Sequence, residues 1–358
     1  MNLLPTFAHR GDIAPLLNKI HHCDALALLR RLPSESVDLI ATDPPYFGVK
    51  DSAWDNAWNS DAEFIEWLKT ILVEYKRVLA PNGSLYLFAS PRMAARVEVA
   101  ISEYFNVLNR VTWAKPAFST KAEMFDKDTM RGFFPSSEAI VFAEQYNSDY
   151  NRDAALKLTS YIDAETALKK RLFGDYLQSE FDRASTNRKE IAVLFPSVTG
   201  NLTGCVSNWL IGHNIPTPEQ YEKIRAYLNG KANGDYLRRE YEDLRREYED
   251  LRREYEDLRR PFNASPYRPY TDVWTYKTVQ AYAGKHECEK PIDMMKHIIE
   301  TSSRPNGVVL DTFSGSGTTL DAARQLKRRY IGCDMDSHWV NYANQRLSLD
   351  YLVSMFAA

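Results

Sequence analysis

The chain has 358 residues, 45 basic and 48 acidic, and a net charge of -3; it is long enough to bury a sizeable core, and it carries no global positive field of the kind that draws nucleic acid, so such a contact has to come from a local patch. Its four cysteines, Cys23, Cys205, Cys288 and Cys333, lie far apart without paired spacing, which disfavours a disulfide framework or a zinc site and predicts reduced thiols and no metal. The N-terminus lacks a long apolar run after a basic start, and no stretch approaches the roughly 20 apolar residues that span a bilayer, so the expectation is a soluble, cytoplasmic protein without membrane contact.

Residues 36–42 form an apolar strand that runs into Pro44-Pro45, where a ladder cannot continue. Ser60-Asp61-Ala62-Glu63 has capping-box spacing ahead of Phe64, Leu68, Leu72 and Tyr75, which predicts a helix to about residue 79. Residues 81–83 make a turn, 84–89 a buried strand, and Ser90-Pro91 the cap and first turn of a second helix. Strands near 107–113 and 138–144 flank a polar segment beginning at Lys115-Pro116, expected to be an active-site loop. Toward the C-terminal end, 307–313 is a strand, 314–317 a glycine loop, 318–326 a helix, 330–333 a strand and 337–349 a helix. Strand and helix alternate at both ends, so the fold class is α/β: one doubly wound, mostly parallel sheet, with residues 147–275 inserted as a helical region between residues 1–146 and 276–358.

Within the insert, residues 235–260 repeat Leu-Arg-Arg-Glu-Tyr-Glu-Asp, placing Leu237, Leu244, Leu251 and Leu258 seven apart with Tyr241, Tyr248 and Tyr255 between them. This is a heptad seam on a helix of about 39 Å, with Glu242 to Arg246 and Arg245 to Glu249 as one-turn pairs. Two readings stay open: a solvated helix packed on its own domain, or pairing with a second copy or with DNA. Residues 187–195, 206–210 and a helix capped by Thr217-Pro218-Glu219-Gln220 have the layout of a helix-turn-helix, in which Ser207 and Asn208 reach base edges or phosphates and Arg183, Arg188 and Lys189 add local positive charge. Plain helical bundles share that layout.

The chemistry sits in two segments. Asp311-Thr312-Phe313-Ser314-Gly315-Ser316-Gly317-Thr318-Thr319 joins a strand to a helix where backbone has to approach a ligand closely. It has neither the lysine of a phosphate-binding loop nor the full dinucleotide fingerprint, so a ligand with a ribose and a positive centre fits better. Asp334, seventeen residues beyond Gly317, ends the next strand where a carboxylate accepts ribose hydroxyls. Asp43-Pro44-Pro45-Tyr46 answers a different need. Nucleobase amino groups are weak nucleophiles, and the Asp43 carboxylate with the Pro44 carbonyl, stiffened by two prolines, accepts both amino hydrogens while Tyr46 stacks on the base. Such stacking requires a base extruded from the duplex. The bland alternatives are a tight turn and a strand-ending turn.

In this order the motifs resemble the β group of amino-directed DNA methyltransferases, in which the catalytic motif precedes the cofactor motif. The resemblance implies S-adenosylmethionine as cofactor, duplex DNA as partner and a seven-stranded sheet. It places Asp24 and Ala25, after a strand at residues 19–22, at the cofactor's adenine, and His286, Glu289, Lys290 and Pro291 over its methionine end. Asp43, Asp311, Phe313, Ser314, Gly315, Ser316, Gly317, Thr318, Thr319 and Asp334 complete the cofactor site, and Trp113 and Lys115 lie beside the flipped base. Homodimers are common in the group, and the heptad seam is compatible with one. Asp334, where an acid of glutamate type is usual, and the inserted region depart from the pattern. The Asp-Pro-Pro-Tyr form favours adenine N6 over cytosine N4. A glutamine methyltransferase would carry asparagine in place of Asp43 and its cofactor loop first; a non-catalytic DNA-binding scaffold is the rival from another class.

Overall fold

A computed structural model describes residues 12–49, 55–115, 131, 133, 135–145, 161–198, 201–232, 234–258, 260–263, 268 and 270–348. The chain forms two compact units, one of Met1–Asn147 with Arg260–Ala358, the other of Ser148–Arg259. Residues 260–275, expected in the insert, therefore belong with the sheet. The expected active-site loop lies largely outside the described residues, which resume at 135–145.

Among the described residues the first unit has eight strands rather than seven: β1 (Lys19–His22), β2 (Val37–Thr42), β3 (Leu79–Ala89), β4 (Phe105–Ala114), β5 (Ser137–Gln145), β6 (Val273–Trp274), β7 (Val308–Asp311) and β8 (Arg329–Asp334). Their order is β1-β8-β7-β2-β3-β5-β4-β6. The extra strand, β6, is two residues long and pairs Trp274 with Trp113 of β4. Strands β1, β8, β7, β2 and β3 are parallel, and β5 runs antiparallel to both β3 and β4.

Alternate residues of each strand face opposite layers. Ile40, Leu85, Leu87, Val308, Leu310 and Ile331 pack under the helices Ala25–Leu29, Asp61–Val78 and Ala94–Ser102. Leu39, Ala41, Tyr86, Phe88 and Val309 face Ile292–Ser302, Thr318–Gln325 and Ser337–Leu347. With helices on both faces, strands are largely apolar, as Leu39-Ile40-Ala41 of β2 shows. The cap of Asp61–Val78 forms as the spacing predicts: Ser60 Oγ accepts from the Glu63 N–H at 3.2 Å, while the Glu63 carboxylate turns back to the Asn59 N–H at 2.9 Å.

Two local expectations fail. Pro81-Asn82-Gly83 does not separate helix from strand; it lies inside β3 as an excursion between the pairs Val37 with Leu79 and Leu39 with Ser84. The second fails only in its boundary: Ser90 Oγ accepts the Met93 N–H at 3.4 Å and the Ser90 carbonyl the Ala94 N–H at 2.9 Å, as a cap does, but the regular helix begins at Ala94.

In the second unit, helices Asp175–Arg183, Cys205–Leu210, Pro218–Ala232 and Tyr241–Leu258 enclose Phe173, Phe181, Trp209, Tyr221 and Leu228. Thr217 and Gln220 form a reciprocal capping box, with bonds of 3.2 and 2.8 Å. The heptad helix spans Tyr241–Leu258, 18 residues, so it is about 27 Å long rather than 39 Å. Its first repeat is consumed as connector: Leu237 takes φ +51° and donates its N–H to Glu180 Oε2 at 2.6 Å. Leu237, Tyr241, Leu244 and Tyr248 are buried in the unit's own core. The seam is thereby covered from within over these positions. Surface pairs form at one-residue-shorter spacing than expected, Arg246 with Asp243 at 3.4 Å and Arg252 with Glu249 at 3.6 Å. Arg183, part of the expected positive patch, is engaged with Glu180 and the Asp235 carbonyl.

Candidate active site

Four adjacent parallel strands, β1, β8, β7 and β2, deliver an aspartate at or just beyond their C-terminal ends: Asp24, Asp334, Asp311 and Asp43. Between β7 and β2 the chain departs in opposite directions, toward β8 and toward β3. That is the switch point where open α/β sheets leave a crevice.

At β2 the ladder stops at Thr42 and the two prolines lead into a loop held by a residue that motif reading missed. Asp55 Oδ1 accepts the N–H groups of Tyr46 and Phe47 at 2.7 and 2.9 Å, and Oδ2 that of Val49 at 2.7 Å. This pulls Phe47 and Gly48 into left-handed conformations, φ +62° and +66°. Asp55 is fully buried, so its carboxylate is a fixed strut that sets where Tyr46 points.

The Asp43 carboxylate is divided. Oδ2 is ion-paired with Lys290, whereas Oδ1 is buried with no hydrogen-bond partner among the described residues. Lys290 Nζ also lies 3.3 Å from the Tyr46 hydroxyl and 3.3 Å from Glu138 Oε2. Tyr46 donates to that same Glu138 oxygen at 3.0 Å, and Lys115 pairs with the other. Burial pushes the Asp43 carboxyl up, opposed chiefly by Lys290. Burial would also raise Glu138, but Lys290 and Lys115 outweigh it and hold it at about 2. Burial drives the Tyr46 phenol well above its ordinary value, with both carboxylates adding to the shift. Burial alone would lower Lys290; Asp43 and Glu138 raise it instead. The result is a pair of buried carboxylates matched by two ammonium groups.

The glycine loop turns through Gly315 at φ +46° and Gly317 at φ +77°. A Cβ on Gly317 would lie 2.8 Å from Ala343 Cβ, and one on Gly315 would lie 3.1 Å from the His286 ring. Asp334 Oδ2 accepts the Gly315 N–H at 2.8 Å and Oδ1 that of Asp336 at 2.9 Å. Asp311 accepts from Thr42 Oγ1 at 2.7 Å and from the Phe313 N–H at 3.1 Å, and burial raises it to about 6. Asp24 caps the helix that starts at Ala25, accepting from Leu26 and Ala27. His286 stands edge-on to Trp339, centroids 4.4 Å apart, and burial lowers its pKa.

These residues enclose one cavity of about 1190 Å³, beyond the roughly 300–1,000 Å³ of a single small-molecule pocket and roomy enough for two ligands side by side. Asp24, Ala25, Asp43 through Tyr46, Trp113, Lys115, His286, Glu289, Lys290, Asp311, Phe313 through Ser316, Thr318, Thr319 and Asp334 all line it. Gly317 instead turns the loop from behind and Pro291 sits at the N-cap of Ile292–Ser302. Glu289, expected over a ligand, has its carboxylate bonded to Arg346 at 2.9 Å and to the Tyr282 hydroxyl at 2.5 Å. Lys290, expected with it, turns to Asp43. Trp113 is 2% exposed and its indole N–H is already used by the Tyr276 carbonyl at 2.8 Å, so it is a wall and not a free stacking surface. Trp58, Trp67 and Glu138 line the cavity unforeseen; the one sequence signal for Glu138 is an acid opening the otherwise apolar run Ala-Ile-Val-Phe. Arg188 and Lys189 are exposed, and Ser207 and Asn208 half-buried, in the second unit.

A crevice at the switch point of a doubly wound sheet, with a glycine loop on one side and an acid-Pro-Pro-Tyr turn on the other, is the layout of an α/β enzyme's active site. The sequence model of the DNA methylase family N6_N4_Mtase matches residues 37–345, and the chain belongs to this family of DNA methyltransferases. It is 26% identical over 331 residues to the DNA adenine methyltransferase YhdJ of Escherichia coli, covering 92% of this chain and 82% of that one. To the type II methyltransferase M1.MboII of Moraxella bovis it is 28% identical, covering 92% and 95%. Among solved structures, the cytosine-N4-specific PvuII DNA methyltransferase shares the fold, with a TM-score of 0.50, 13% identity and coverage of 94% and 90%. No helix among the described residues is long and apolar enough to cross a membrane.

Proposed function

We propose that this DNA methyltransferase transfers the methyl group of S-adenosylmethionine to the exocyclic N6 of adenine extruded from duplex DNA. The observation that carries the reading is the buried, unpartnered Oδ1 of Asp43. A desolvated acceptor without a donor is costly, and Asp43 lines the cavity beside the rigid Pro44. An amino group donating one hydrogen to Oδ1 and the other to the Pro44 carbonyl would satisfy both, and would turn its nitrogen lone pair out of conjugation with the ring.

The cofactor fits the other half of the cavity. Gly315 and Gly317 let backbone approach where a Cβ would intrude, Asp334 lies at the end of β8 for the ribose, and Asp24 with Ala25 and the His286 segment border the remaining wall. When bound, S-adenosylmethionine supplies a methyl group made electrophilic by its sulfonium. The chain's own residues do the rest: Asp43 and Pro44 orient the amino nitrogen, Tyr46 offers its ring to the base, and Lys290 keeps Asp43 ionised in a dry site. The surplus amino proton passes to Asp43 or solvent, so no histidine base is required. Holding the two reactants in line accounts for much of the acceleration. The helices of the second unit around Arg188, Lys189, Ser207 and Asn208 read or grip the duplex.

Adenine is preferred to cytosine because the motif begins with aspartate and because the E. coli relative named above is an adenine methyltransferase. The test is incubation of DNA from a methylation-deficient host with methyl-labelled S-adenosylmethionine, followed by nucleoside mass spectrometry. N6-methyladenine that disappears with Asp43→Ala is expected. N4-methylcytosine would replace adenine by cytosine in this reading, and a fully active Asp43→Ala enzyme would refute the role of the motif.

A further inference from the structure

Glu138, the second residue of β5, lies opposite Trp113 of β4, and neither the Asp-Pro-Pro-Tyr turn nor the glycine loop calls for an acid there. Its side chain is 12% exposed, and both oxygens are committed: Oε1 to Lys115, Oε2 to the Tyr46 hydroxyl at 3.0 Å and to Lys290 at 3.3 Å. An ammonium group has three donors. Lys290 donates to Asp43 Oδ2 and to the Tyr46 hydroxyl and lies 3.3 Å from Glu138 Oε2 as an ion pair, and no bond from it reaches Asp43 Oδ1. A lysine facing a lone buried carboxylate would have every electrostatic reason to bridge both oxygens.

We propose that Glu138 is a positioning residue for methyl transfer: it draws the Lys290 ammonium aside and tethers the Tyr46 hydroxyl, so that Asp43 Oδ1 stays open to the nucleobase amino group. This rests on the reading of Asp43 as the amino-group acceptor. Among the described residues, the charged and titratable groups around Asp43 are Lys290 ahead of the helix Ile292–Ser302, Glu138 on β5, Tyr46 on its own loop and Asp311 on β7, with Lys115 of β4 behind Glu138. Neutralising Glu138 therefore takes a like charge from Asp43 and gives it the whole of Lys290. Both changes favour the ionised carboxylate.

The test compares the full-length enzyme with Glu138→Gln, whose amide oxygen still accepts from Tyr46, on unmethylated genomic DNA. Single-turnover methylation is followed against pH, with S-adenosylmethionine affinity and thermal melting measured alongside. The expected result is a plateau rate lower by about 10- to 100-fold with cofactor affinity nearly unchanged, and an acidic limb displaced to lower pH. A wild-type rate, or a slower enzyme with its acidic limb in place, would overturn the proposal. Should Glu138→Gln not fold, Lys115→Met decides: it removes a cation and lets Glu138 hold Lys290 more firmly, so the limb should move to higher pH, and an unmoved limb overturns the idea equally. A wild-type enzyme that transfers no methyl group to DNA would overturn the amino-group reading and this inference together.

Discussion

Lys290 and Asp43, 247 positions apart in the chain, form one buried ion pair at the end of β2 that leaves a single carboxylate oxygen without a partner among the described residues. The pair reconciles two demands that otherwise conflict, a dry site and an ionised aspartate. Lys290→Met should therefore raise the Asp43 pKa further, because burial remains while its main opposing charge is gone. Methylation should fall by roughly 100-fold or more near neutral pH and recover partly as pH rises. Single-turnover rates from pH 6 to 9 check this; a rate equal to wild type across that range would dismiss the pair.

Asp311 makes a stability prediction with a definite sign. Its folded pKa, about 6, stands above the ordinary 3.8, so the folded state holds its proton more tightly than the unfolded chain. Stability from this group is present at low pH and lost as pH rises from about 4 to 6. Glu138, held at about 2 against 4.5, acts oppositely, its contribution being present above about 4.5 and lost as pH falls toward 2. Asp311→Asn keeps an oxygen for Thr42 and Phe313 and removes the ionisation, so it should gain up to about 3 kcal/mol at pH 8 and nothing near pH 4. Denaturant melts at the two pH values measure the difference; equal effects at both would show that Asp311 does not titrate in this window.

Gly317 and Gly48 both have positive φ, +77° and +66°, yet only Gly317 is crowded: its Cβ would meet Ala343, whereas Gly48 has nothing within 4 Å. Gly48→Ala should cost about 1 kcal/mol of backbone strain. Gly317→Ala should cost more and weaken S-adenosylmethionine binding, since the clash moves the loop. Calorimetric titration of both variants tests the order, and equal affinities would contradict it.

Asp55→Ala removes the acceptor of three backbone N–H groups, of Tyr46, Phe47 and Val49, in a part-buried loop. Each unsatisfied donor costs about 1–3 kcal/mol before the loop relaxes. The expected outcome is a lower melting temperature and a methylation rate depressed well beyond any change in cofactor affinity, because Tyr46 loses its support. An unaltered rate would mean that the prolines alone place Tyr46.

Arg188→Ala with Lys189→Ala should weaken duplex binding and make the dependence of log affinity on log salt shallower by about 2, one phosphate contact per residue. Fluorescence anisotropy at several salt concentrations measures the slope. An unchanged slope would place the DNA surface elsewhere.

Much of the molecule was legible because its signals are local. Ser60 and Glu63, and Thr217 and Gln220, cap their helices within three residues of each other, and the strand residues 39–41 alternate between two layers as period-2 patterning requires. Errors arose where tertiary contacts overrode a local rule. The repeat at residues 235–240 is nearly identical to the units that follow, but Leu237 is drawn into the core and its N–H to Glu180, which no repeat count reveals. Pro81-Asn82-Gly83 has turn composition, yet pairing on both sides absorbs it into β3.

The sequence by itself determined the family, the doubly wound sheet and the two contiguous motifs, since an acid-Pro-Pro-Tyr turn and a Gly-x-Gly loop carry their backbone geometry in adjacent residues. Only the tertiary structure decided how Asp43 is used. Lys290 and Glu138 come from distant segments that the fold places within hydrogen-bond reach of Asp43 and Tyr46, and Lys115 is paired to Glu138 behind them. A buried charge is governed by whichever groups share its low-dielectric surroundings, and that neighbourhood is set by strand order rather than by proximity along the chain.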